Sequence, residues 1–132
     1  MRFPRVHPSE ALLRVGLAFS FVYPAIDAYF DPASWLGYFP HYVISAFHVI
    51  AIPLKLSDVL LLHGFGLLEI LLALWVLFGK RIQVPALIMA ILLGVIVLTN
   101  LDPSNFSVVF RDVSIAFSAL ALALINRQQA RT

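Results

Sequence analysis

Residues 58–78 read DVLLLHGFGLLEILLALWVLF, and what this stretch requires decides the fold. It is long enough to cross a bilayer core, which takes about 20 apolar residues at ~1.5 Å of rise each. Glu69 sits near its middle. A charged carboxylate at the centre of a span costs roughly 2.5–3.5 kcal/mol on insertion scales. Glu69 therefore needs a partner, a proton or a water-filled cavity. It is read either as the functional centre or as a buried structural joint.

The rest of the composition agrees with a membrane class. Of 132 residues, 61% are hydrophobic and 12% charged, with a mean hydropathy of +0.94. A soluble domain is nearer half apolar and a quarter charged. The chain has no cysteine, which excludes thiol–disulfide chemistry and thiolate metal ligation by the protein itself. Its basic residues lie mostly at segment ends, a topology signal rather than a nucleic-acid footprint.

Working outward, the expectation is a single membrane domain, 1–132, with spans at about 11–30, 58–78, 82–101 and 106–125. Ser9 is the expected N-cap of the first helix. Glu10 and Arg14 interrupt the start and no A-x-A site follows, so that helix is read as retained rather than cleaved. Gly16, Ser20, Tyr23 and Asp27 recur at helical spacing and predict the face that packs on other helices. Between the first two spans, Pro32, Gly37, Pro40 and Pro53 interrupt the chain. A short interfacial or re-entrant helix at about 41–52 fits there, with His41, Ser45 and His48 as its polar stripe. Ala86, Ala90 and Gly94 predict a small-residue seam on the third span.

Four spans put the N-terminal arm, the turn at Lys80-Arg81 and the C-terminal tail on one side. That side carries Arg2, Arg5, Lys80, Arg81, Arg127 and Arg131; the other carries Lys55 and, a turn inside the last span, Arg111. The positive-inside rule then predicts a cytoplasmic (inner) membrane location with both termini cytoplasmic.

The blocks LLRVGLAFSFVYPAIDAYFDPASWLGYFP, GLLEILLALWVLFGKR and FRDVSIAFSALALALI resemble DoxX and DoxD-like membrane proteins. The shared marks are Arg14 entering the first helix, the Asp31-Pro32-x-x-Trp35 turn, Glu69 followed by the Gly79 stop, and Arg111-Asp112 opening the last helix. The resemblance implies an all-α, four-helix membrane bundle and a link to quinone-coupled or other membrane redox systems, or to the assembly of other membrane proteins. The lack of cysteine argues against the thiol-exchange role of some relatives.

Residue by residue, Glu10 and Arg14 are spaced for a structural ion pair, Glu first. Counted by helical rise, Asp27 and Arg111 reach a similar depth and are expected to pair. Asp112 is either a helix-start anion or a lining group of an outer cavity. His41 and His48 are about 10 Å apart along their helix, too far to share an ion, so no metal is predicted. His63 is about 120° around the helix from Glu69 and is kept as a cavity candidate. No cation is expected at the depth of Glu69, with Ser20, Ser114 and Ser118 nearest. The carboxyl is therefore expected to be protonated and hydrogen-bonded across helices or to a bound amphiphile.

Two functions remain at this stage. One is an accessory or binding component of a membrane redox system, taking a quinone or lipid-like amphiphile among Glu69, Asp27, Arg111, Asp112 and His63. The other is a non-catalytic protein that assembles with or stabilises a membrane-protein partner or a second copy of itself. A complete enzyme is the less favoured reading, and the lipid bilayer is a partner in both.

Overall fold

The structure, a computed structural model, describes residues 6–39 and 41–131. Arg2, Arg5 and Pro40, used in the topology argument, lie outside the described residues. The described chain is helical with no strand. Its elements are α1 (Pro8–Phe30), α2 (Pro32–Leu36), α3 (His41–Leu54), α4 (Asp58–Phe78), α5 (Gln83–Thr99), a 3-10 turn (Pro103–Asn105) and α6 (Phe106–Gln129). Among the described residues three stretches are long and apolar enough to cross a membrane: α1, α4, and the 3-10 turn with α6. α5 has 17 residues, about 25 Å at the helical rise and at the short limit for a span.

The start of α1 differs from expectation. His7, not Ser9, is the N-cap, because Pro8 takes the first helical position, where its missing N–H is no loss. Ser9 lies inside the helix, and its Oγ is hydrogen-bonded to His7 Nδ1 at 2.7 Å. α1 then runs on through Pro24.

α4 occupies the stretch read from sequence, and Gly79 ends it for a steric reason. Gly79 keeps an ordinary negative φ of −77° and donates its N–H to the Trp75 carbonyl at 2.8 Å. A Cβ there would run into the Trp75 indole and carbonyl. The indole N–H donates onward to the Lys80 carbonyl at 3.2 Å. Arg81, with φ at 55°, then takes the left-handed step that turns the chain into α5.

α1, α4, α5 and α6 share one buried core. Ala73, Val76, Ala86, Met89, Ala119 and Leu122 have no exposed surface. The seam on α5 holds at Ala86 and Ala90 but stops there, since nothing lies near the Cβ direction of Gly94. The α1 expectation was rotated. Gly16 and Tyr23 are exposed, and the face that packs carries Leu17, Ala18, Phe21, Ala25 and Ala28. Gly66 of α4 approaches this face closely: a Cβ there would lie 3.5 Å from Ala25 Cβ. Phe19, Phe110 and Phe117 stand about 70% exposed on the outside, as they would against lipid, where outer and inner faces are equally apolar.

At the end of the molecule near the chain termini, Glu10 is buried. It accepts from Arg14 Nε at 3.1 Å and from Gln129 Nε2 of α6 at 3.0 Å. Asn126 Oδ1 accepts the Gln83 N–H at 3.3 Å. The last turn of α6 thus ties both α1 and α5. α3 stands apart: Ala51 is its one buried residue, and the contact of His48 with Asp58 holds it to the start of α4.

Candidate functional site

A cavity of about 330 Å³ opens among α1, α2, α3, α4, α5 and α6, within the roughly 300–1,000 Å³ usual for small-molecule sites. Its position follows from the packing. Small residues bring α1 and α4 together, while α3 packs on α4 alone among the long helices, so space remains between α3, α5 and the start of α6. Glu69, Arg111 and Asp112 line it together. Ser20 and Thr99 add hydroxyls, but these donate to the Gly16 and Val95 carbonyls of their own helices. The remaining wall is mostly apolar.

The three charged-type side chains are not equivalent. Arg111 Nε donates to Asp112 Oδ1 at 3.0 Å, with the Asp112 side chain 5% exposed and that of Arg111 46%. Among the described residues no group hydrogen-bonds the Glu69 carboxyl, although Arg111 and Asp112 lie within electrostatic range. The expectation that no cation reaches Glu69 is thereby corrected. Depth counted at Cα leaves out the reach of a long side chain, and Arg111 lines the same cavity as Glu69. Ser114 and Ser118 bond back to Phe110 and Ser114 of their own helix and do not line the cavity.

The expected pairing of Asp27 with Arg111 is not what the structure holds. Asp27 Oδ2 instead accepts from Trp35 Nε1 at 2.9 Å, a donor supplied by α2 immediately after the turn. Asp27 stands behind the cavity wall while Trp35 lines it. His63 faces away, into a second crevice between α1 and α4, with its ring 5.1 Å from that of Tyr29. Of the five candidates, three meet at the cavity, one supports its wall and one lies elsewhere.

Aromatic side chains were not foreseen as lining. Trp35, Tyr38, Phe39, Tyr42 and Phe65 all border the cavity. Trp35 and Tyr38 meet edge to face at 5.7 Å, and Phe39 and Phe65 at 5.6 Å. Clustered as they are in the connection after α1, Trp35, Tyr38 and Tyr42 suit an interfacial belt; the signal for a site was Phe65, one helical turn from Glu69 on the same face.

Chemically, an apolar chamber with rings at one part and one uncommitted carboxyl suits an amphiphile with a small polar head. Comparison with models of known protein families, with characterised proteins and with solved structures returns no match.

Proposed function

We propose that this chain is a DoxX-like integral membrane protein, a bundle of four spans in the cytoplasmic membrane with both termini cytoplasmic. Its Glu69 cavity binds a quinone-like amphiphile as an accessory component of a membrane redox system. The observation that carries the reading is the Glu69 carboxyl, without a hydrogen-bond partner among the described residues, inside a mostly apolar chamber. A polar group so placed is costly unless a ligand or water completes it. A quinone offers ring surface for Trp35 and Phe65, and oxygens for Glu69 and Arg111. Mass spectrometry of the gently extracted protein tests this: a co-purifying quinone that is lost from a variant with a filled cavity supports it, and a chain that carries no quinone in either form overturns it.

A second reading, a non-catalytic protein that stabilises a membrane partner, draws support from the other polar groups. Asp27 bonds to Trp35 of α2 and Glu10 to Gln129 of α6, as helix-locking residues would.

A further inference from the structure

The charge balance around the cavity is uneven. Glu69 and Asp112 lie in its wall, while Asp27 is outside it and accepts from the Trp35 indole N–H. Among the described residues of the wall the opposing charge is Arg111, and its Nε is engaged by Asp112. Arg111 and Asp112 thus pair within the wall, and Glu69 is its carboxyl without a bonded partner among the described residues. The rest of the chamber is hydrocarbon and five aromatic rings, two pairs of which meet edge to face. An edge-to-face pair leaves a ring face free, and ring faces attract cations within about 6 Å of the centroid.

From this we infer that the cavity binds hydrophobic organic cations of the quaternary ammonium or phosphonium class. Such a cation has no hydrogen-bond donors to satisfy. It needs apolar walls for its substituents, ring faces for its spread charge and one uncommitted carboxyl near its centre that ionises, its proton leaving to water, as the cation seats; Glu69, Trp35 and Phe65 supply these together. An anionic head, carboxylate or phosphate, would have to compete with Asp112 for Arg111 and would gain nothing from Glu69. The indole N–H of Trp35 donates to Asp27, which polarises the ring and makes its face a better cation receptor. The inference rests on the reading of the cavity as a ligand site but differs from it in the charge of the ligand.

Equilibrium dialysis of the full chain in mild detergent tests it with three probes: tetraphenylphosphonium, tetraphenylborate (the same shape with opposite charge) and a decyl-substituted benzoquinone. Saturable tetraphenylphosphonium binding at least tenfold tighter than tetraphenylborate is expected. Glu69→Gln is expected to weaken it at least tenfold, Trp35→Ala to weaken it, and Trp35→Phe to keep most of it. Helical circular dichroism and melting show whether each variant is folded. If the benzoquinone binds saturably and tetraphenylphosphonium has no advantage over tetraphenylborate, the cation inference falls and the amphiphile site stands. Should folded Glu69→Gln retain full tetraphenylphosphonium affinity, the assignment to this cavity is overturned. If neither the cation nor the quinone binds, both readings fall.

Discussion

Arg111 bonds to its own chain neighbour: Nε reaches Oδ1 of Asp112 at 3.0 Å, joining a half-exposed guanidinium to a buried carboxyl. Adjacent helical residues project about 100° apart, so the arginine must fold around the helix to make the contact. Removing Arg111 alone leaves Asp112 buried without its donor, whereas removing both leaves no charge to compensate. Arg111→Ala is therefore expected to destabilise more than Arg111→Ala/Asp112→Ala together. The double-mutant cycle should show a coupling within the 0.5–3 kcal/mol range of contacting pairs. Simple additivity in detergent melts would contradict the pairing.

Trp35 and Asp27 make the second such test. Trp35→Phe keeps a ring in the wall but removes the donor to Asp27, and a buried acceptor left unsatisfied costs about 1–3 kcal/mol. Because Asp27 is only partly buried, the lower part of that range is expected. Trp35→Phe in an Asp27→Ala background, which has no side-chain acceptor, should cost less than in the native chain. Equal losses in both backgrounds would show that the bond contributes nothing.

These two pairs also show where sequence reasoning stopped. Rise per residue gives depth along a helix, and it placed Asp27 and Arg111 at one level. Azimuth and side-chain reach decide partners, and neither is readable from spacing. The bounds of α4 were legible because a long, mostly apolar run is bounded by Asp58 on one side and Gly79 on the other. The packing face of α1 was not, because lipid is as apolar as the core and leaves no hydrophobic contrast to read. The cavity itself arises from how α3 sits beside α4, a tertiary fact with no local signature. Glu69 stood out in the sequence for a physical reason, the cost of its position, and the structure then supplied its neighbours.

Asp102 precedes the 3-10 turn and accepts from the Ser104 N–H and the Ser104 hydroxyl, each at 2.9 Å. The backbone donor first, then the hydroxyl, hold its carboxyl below the ordinary aspartate range. A depressed folded value means that the contribution to stability is present above the unfolded pKa of about 3.9 and is lost as pH falls through the folded value. Ser104→Ala removes one donor and should move the Asp102 titration, followed by carboxyl NMR, partway back up. An unchanged titration would contradict the cap.

Topology turns on whether the short α5 crosses. The native chain has no cysteine, so single cysteines report cleanly. With four spans, Lys80→Cys and Ala130→Cys label from the same side of a sealed membrane and Ser34→Cys from the other. If α5 does not cross, Ala130→Cys labels opposite Lys80→Cys, and the four-span arrangement is wrong.

The central claim is that an amphiphile enters the cavity beside Glu69, and Trp35 in its wall can report it. Trp75 is the other tryptophan of the chain, so Trp75→Phe leaves Trp35 as the sole indole. Titrating that variant in lipid nanodiscs with the decyl-substituted benzoquinone should give saturable quenching of Trp35 fluorescence. Ile115→Phe, which adds bulk to the cavity wall, should raise the half-saturating concentration at least tenfold. Quenching that climbs without a plateau, and is the same in the filled variant, would mean collisions from the lipid phase and would contradict a binding site there.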